Sequence, residues 1–203
     1  MNKIGFKEVY VEESIIDLNE SIIYNKLFIN EIIDKDINSI TFDDCIFENC
    51  IINTKINNTI FTNCKFINCD LTNIEFNDCG IHYITITNSK LLNSNFNTST
   101  IKNSIIEDSL CDFINISTCT INNLELKNNS MKESRLLDLK LTKLTLNNNN
   151  LTNIEIINTS LNKIDISSNN ISGIKINQYD IKGSIIDTNQ VYDLINLLDV
   201  KIK

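Results

Sequence analysis

Residues 56–101 read INNTIFTNCKFINCDLTNIEFNDCGIHYITITNSKLLNSNFNTSTI, and every fifth residue of the stretch is Ile, Phe or Leu: Ile56, Phe61, Phe66, Leu71, Phe76, Ile81, Ile86, Leu91, Phe96 and Ile101. The register continues to Ile186, 27 consecutive positions with no polar residue and no insertion. Neither a helix (3.6) nor a simple strand (2.0) has a period of five. Upstream the pattern extends to Ile37, Phe42, Phe47 and Ile52, with one residue dropped before Ile56.

A second column sits two residues before each central position. It holds Cys64, Cys69, Cys79, Ser89, Ser94, Ser99, Ser104, Ser109, Cys119 and Thr159, interspersed with Ile74, Ile84, Leu124 and others. Residues two apart on an extended segment face the same side, so each pentad turns one large and one often smaller side chain inward. The other three positions are mainly Asn, Asp, Ser, Thr, Lys and Glu, residues of turns and solvated surface.

Composition agrees. The 203 residues include 39 Ile and 35 Asn but no Ala, Pro or Trp. Such a chain is a poor helix former, because β-branching and short amides both oppose helix. Its 42% apolar content still supplies a continuous core. No GxG or GK[ST] loop occurs, which removes Rossmann and P-loop readings. The single His, His82, excludes most His-based catalysis and most zinc sites. The start, MNKIGFKEVYVEES, does not read as a signal peptide, and no apolar run reaches a membrane span. These features lead us to expect a cytoplasmic protein with seven reduced Cys and no membrane partner.

The pentads CDLTN (69–73), SNFNT (94–98) and NNLTN (149–153) resemble the pentapeptide-repeat family, whose motif is a small residue, Asp or Asn, Leu or Phe, then two polar residues. The resemblance covers roughly residues 38 to 187. It implies an all-β fold, a right-handed quadrilateral β-helix in which four pentads make one square coil. About 7.5 coils at about 4.8 Å per strand would give a rod roughly 36 Å long. Ile or Leu at many of the small positions departs from the motif and predicts wider coils there. The expected organisation is an N-terminal cap and irregular first coil over 1–37, the β-helix over 38–187, and a C-terminal helix and strand over 188–203. In that last segment Asp187 or Thr188 can cap a short α-helix, with Val191, Leu194, Ile195 and Leu198 at i, i+3, i+4 and i+7. Val200 and Ile202 then alternate like a strand.

The end of the chain, IKGSIIDTNQVYDLINLLDVKIK, resembles the C-terminus of quinolone-resistance (Qnr-type) pentapeptide proteins. That resemblance implies a homodimer joined end to end through Val191, Leu194, Ile195, Leu198, Val200 and Ile202. It also implies binding to DNA gyrase and topoisomerase IV by imitation of duplex DNA, with no direct nucleic-acid binding. The bland alternative for the segment is a simple cap over the open end of the solenoid.

Charge tests the mimicry. Of the net −8, residues 1–48 carry −7 (11 acids, 4 bases) and residues 49–203 only −1 (15 acids, 14 bases). The candidate acidic surface is therefore N-terminal: Glu12, Glu13, Asp17, Glu20, Glu31, Asp34, Asp36, Asp43, Asp44 and Glu48. Residues 20 apart should stack, and Lys55/Glu75, Asp70/Lys90, Glu107/Lys127, Asp112/Lys132, Arg135/Glu155 and Glu155/Lys175 are all opposite in sign at that spacing. Duplex DNA carries about one charge per 1.7 Å, so a mimic of this length wants roughly 20 uncompensated charges. A scaffold with an unrelated protein partner and no topoisomerase activity is the alternative this cancellation favours.

No constellation reads as catalytic, metal-binding or cofactor-binding. The Cys pairs five apart lie on adjacent sides of the square, without a His, and suit packing. Glu107, Asp108 and Asp112 form a dense acidic patch without a cleft to raise a pKa. His82 should point to solvent. Asn129, Asn149 and Asn169 share the inward column at a spacing of 20 and should form an amide-to-amide ladder.

Overall fold

The chain pairs with itself one turn later, always in parallel. In the computed structural model, which describes residues 11–12 and 20–198, Phe61 lies beside Ile81, Ile81 beside Ile101 and Ile101 beside Ile121. The spacing of 20 repeats on every side, so four pentads close one coil, and the whole is a right-handed quadrilateral β-helix of about eight turns. Its core is one column of buried side chains from Ile23 to Ile176.

The four faces differ in construction. Phe42, Phe61 and Ile81 centre the first; Phe47, Phe66 and Ile86 centre the second. These two merge into one twelve-stranded sheet, because Thr100–Glu107, Thr120–Lys127 and Lys140–Asn147 run unbroken through the corner between them. The fourth face, centred on Ile56, Phe76, Phe96 and Ile116, is an eight-stranded sheet. On the third, centred on Leu71, Leu91 and Cys111, coils after Ile51–Ile52 meet through single bridges such as Asp70–Lys90 and Lys90–Leu110. There the chain turns at once: Ile74 N–H donates to Leu71 O at 3.2 Å, and Asn73 between them has φ +61°, the type II pattern.

The asparagines do more than solvate the surface. Among the described residues, 26 non-glycine residues have positive φ, 15 of them Asn and 4 Asp, and from Asn58 onward they fall two places after a central residue. Most corners place one residue in the left-handed region, and Asn and Asp tolerate it best after Gly. A chain with four Gly turns its corners with Asn instead. Thr98 (φ +50°) and Thr118 (φ +55°) take the same role despite β-branching. Thr118→Asn is therefore expected to raise stability by about 1 kcal/mol, read as a higher Tm.

The small inward column has its own logic. Cys64 Sγ donates to Phe42 O at 3.5 Å, Cys79 Sγ to Ile56 O at 3.3 Å, Ser94 Oγ to Leu71 O at 2.8 Å and Ser134 Oγ to Cys111 O at 3.0 Å. A short polar side chain there reaches the carbonyl of the preceding coil, so a buried polar group costs nothing in lost hydrogen bonds. At one corner the return bonds form a continuous chain. Cys69 N–H donates to Ser89 Oγ, Ser89 N–H to Ser109 Oγ and Ser109 N–H to Asn129 Oδ1. Asn129 N–H continues to Asn149 Oδ1 and Asn149 N–H to Asn169 Oδ1, at 2.8–3.1 Å throughout. The asparagine ladder is thus mostly side chain to backbone. Its amide-to-amide component is the Asn149 Nδ2 to Asn169 Oδ1 bond at 3.0 Å.

Three expectations need correction. The first coil is regular: Ile23, Phe28 and Ile33 are buried, and Phe28 stacks on Phe47 with ring centroids 4.9 Å apart. It only looks irregular in sequence because the step from Ile33 to Ile37 is four residues, as is that from Ile52 to Ile56, so these coils pair at a spacing of 19. Lys26 and Glu31 occupy the small column there and are half-buried. Second, the central register frays: a bulge around Asn122 and Lys143 leaves Leu141 half-buried, and Ile186 is 36% exposed. Third, the last coil contains a short helix, α1 (Gln178–Ile181), capped by Asn177 Oδ1, which accepts from Tyr179 N–H and Asp180 N–H.

Candidate interaction surfaces

Beyond α1 the chain closes the end of the solenoid. Asp187 is the N-cap, and a 3-10 turn (Thr188–Gln190) leads into α2 (Val191–Leu194) and a second 3-10 turn (Ile195–Leu198). Gln190 is buried; its Nε2 donates to Ile166 O at 2.9 Å and Asn169 O at 2.7 Å, while its Oε1 accepts from Asp187 N–H. One side chain therefore satisfies carbonyls that the next coil would have satisfied.

The apolar residues of this end divide between two directions. Leu194 and Leu197 pack against the core, whereas Val191 is 45% exposed and Tyr192 75%. The two 3-10 turns break the single helical stripe expected of Val191, Leu194, Ile195 and Leu198. Val191, Leu194 and Leu197, with Ile181, Ile186 and Ile195, border a mostly apolar groove of about 360 Å³. Leu197 and Ile186 were not foreseen, since the i, i+3, i+4 rule presumes an unbroken α-helix. Of Leu198 only the backbone is described, and Val200 and Ile202 lie outside the described residues.

The acids of the N-terminal part form a belt rather than a stripe. Asp34 follows the centre of the third face, Asp36 precedes that of the fourth, Asp43 and Asp44 follow that of the first, and Glu48 that of the second. All four sides of the rod thus carry negative charge at one level. Asp36 Oδ1 also accepts from Thr54 Oγ1 at 2.8 Å, tying the belt to the next coil. Glu20 is exposed, Glu31 lies in the half-buried inward column, and Glu12 pairs through its backbone with Leu27. Glu13 and Asp17 lie outside the described residues.

Further along, charge is cancelled between coils. Lys55–Glu75 (3.9 Å), Lys90–Asp70 (3.5 Å), Lys127–Glu107 (3.4 Å) and Arg135–Glu155 (3.1 Å) are ion pairs between residues 20 apart. Asp112 departs from the expected pairing with the Lys132 ammonium: it accepts from Ser130 Oγ at 2.5 Å and Lys132 N–H at 2.9 Å, serving the turn. Glu155 meets Arg135 rather than Lys175. Exposed pairs of this kind contribute up to about 1 kcal/mol each and offset the charge of the acids they engage.

The residues weighed for chemistry are occupied structurally. Glu107 is ion-paired and Asp108 Oδ1 accepts from Asn128 Nδ2 at 2.9 Å. All seven Cys are free and buried, and burial pushes the thiols of Cys79 and Cys119 up to about 11 and that of Cys111 up to about 12. Those three protonated thiols are poor nucleophiles and poor metal ligands, whereas Cys45 and Cys50 shift downward, each through its hydrogen bond with the Cys one coil later, Cys64 and Cys69. Among the described residues no three His, Cys, Asp or Glu converge as a metal site would require. His82 does not point freely to solvent: its Nε2 is buried without a hydrogen-bond partner, and burial, then Lys102, lowers its pKa. No helix among the described residues is long and apolar enough to cross a membrane.

No family model matches the chain, and no curated protein is similar to it in sequence. Solved structures are. A trypsin-treated variant of QnrB1, a plasmid-mediated fluoroquinolone resistance protein, superposes with a TM-score of 0.55 over 90% of this chain and 98% of its own, at 12% identity. The chain folds as a pentapeptide-repeat β-helix. HetL, a pentapeptide repeat protein involved in heterocyst differentiation regulation in a Nostoc cyanobacterium, matches with a TM-score of 0.43 over 81% of this chain and 89% of its own, at 10% identity. The pentapeptide-repeat solenoid accounts for the buried pentad centres, the asparagine corners and the polar inward column, none of which specifies a partner.

Proposed function

We propose that this chain is a non-catalytic rod whose surface binds other proteins, with two copies joined through their C-terminal ends and a type II topoisomerase of the gyrase or topoisomerase IV kind as the partner. The observation that carries the pairing is the apolar end: Ile186, Val191 and Tyr192 are exposed beyond the last coil, beside a groove lined by Ile181, Leu194 and Ile195. A second copy of the same face supplies matching apolar surface, and a twofold contact is self-complementary by construction. In such a pair the acidic belts occupy the two outer tips. Supporting the topoisomerase reading are the β-helical rod shared with QnrB1 and the negative charge at those tips.

A specific observation favours a second reading. The ion pairs stacked along the body cancel the field a duplex mimic needs, which suits a scaffold for an unrelated protein. Under either reading the chain is expected to sediment as a dimer, and Val191→Asp to sediment as a monomer with an unchanged circular dichroism spectrum. A monomeric wild-type chain at micromolar concentration contradicts the pairing.

A further inference from the structure

Four corners of the fourth face, like Ser39, Tyr83 and Lys163 at other corners of the rod, depart from the Asn or Asp that most corners use. Corner positions are mostly Asn or Asp, yet this face is bordered in neighbouring coils by Phe113 (φ +62°) and Glu133 (φ +54°) at one edge and by Thr98 and Thr118 at the other. A bulky residue held at positive φ is strained, and such strain concentrates where function requires it. Phe113 is also 52% exposed, an aromatic ring presented to solvent where Asn93 stands one coil earlier.

Along the edge that holds Phe113 and Glu133 lies a polar groove of about 330 Å³, bounded by Asn93, Asn95, Phe113, Asn115, Glu133 and Arg135. This is at the low end of the roughly 300–1,000 Å³ typical of small-ligand sites. At its floor Asn115 Nδ2 donates to Asn95 Oδ1 at 3.3 Å, while Asn115 Oδ1 is buried and has no hydrogen-bond partner. The outer asparagine ladder on the same face, Asn38–Asn57–Asn77–Asn97, passes to Ser117 at this level, whose Oγ donates to Asn97 Oδ1 at 2.6 Å.

We propose that this groove binds a neutral saccharide. The lining combines planar hydrogen-bonding groups (amides, a carboxylate and a guanidinium) with one exposed aromatic face. That set matches vicinal hydroxyls on one side of a sugar ring and its C–H surface on the other. Charge narrows the choice: Arg135 opposes a cationic ligand, while Glu133, together with the Glu155 that Arg135 already engages, opposes an anionic one. Asn95, Asn115 and Arg135 stand on successive coils and span about 10 Å along the rod, which suits a short oligosaccharide lying parallel to the axis.

The test is isothermal titration calorimetry of the full chain with short cello-, malto-, xylo- and chito-oligosaccharides, at low and high salt. At least one series is expected to bind with an affinity insensitive to salt, and Phe113→Asn to weaken that binding by about tenfold or more. The same substitution relieves the strained corner, so its Tm is expected to stay level or rise, which separates loss of the site from loss of the fold. The inference is overturned if no series binds, if binding collapses with salt, or if Phe113→Asn binds as well as the wild type.

Discussion

Ile166→Asp is expected to abolish folding of the C-terminal coils, at a cost of at least about 4 kcal/mol, while Asn162→Asp, four residues away, changes stability by less than about 0.5 kcal/mol. Ile166 is 1% exposed in the central column, and its carbonyl receives the Gln190 amide that closes the solenoid. A carboxylate there is desolvated with no cation in reach, and moving it outward disconnects the cap. Because each coil contacts only its neighbours, the damage starts at the end of the rod. Hydrogen exchange should show protection lost around residues 146–190 and retained around Phe42, Phe61 and Phe66. Equal melting curves for the two variants contradict the register.

The second large effect concerns a polar residue. Asn149→Leu is expected to lower stability by about 2–4 kcal/mol, although Leu at the equivalent position of other pentads, Leu124 and Leu144, is well buried. Asn149 Nδ2 donates to Leu126 O at 2.8 Å and to Asn169 Oδ1, and its Oδ1 accepts from Asn129 N–H. Leucine fills the volume but leaves the Leu126 carbonyl and the Asn129 amide buried and unpaired. Added apolar burial offsets this in part. A thermal melt unchanged by the substitution would show that packing alone holds this corner.

The pentad register made the architecture legible. A period of five, sustained from Ile56 to Ile186, has few physical solutions, and the spacing of 20 then identified stacked partners such as Lys55 and Glu75 correctly. What escaped was whatever depends on backbone geometry or on breaks in the repeat. The 35 Asn read as generic turn residues, whereas positive φ gives 15 of those described a defined task at the corners. The first coil was obscured by two four-residue steps, since a column search at fixed spacing loses a face that slips by one. Gln190 stands at capping-box spacing from Asp187, but its role as the plug of the end follows only from where the last coil leaves its carbonyls. The acidic residues were legible as a cluster, yet their distribution over all four sides required the fold. The pairing of Asp112 with backbone rather than with the Lys132 side chain was likewise invisible, because spacing fixes proximity and not which donor wins.

The measurement that tests the functional proposal most directly is a gyrase supercoiling assay titrated with the purified chain, with and without a fluoroquinolone, at two salt concentrations. The proposal predicts inhibition of supercoiling or relief of the drug at micromolar protein, weaker at high salt because the field resides in the acidic tips. It also predicts that Asp34→Asn and Asp36→Asn together diminish the effect. Supercoiling unaffected by a large excess of folded, dimeric protein would contradict it and leave the rod as a scaffold for a different protein.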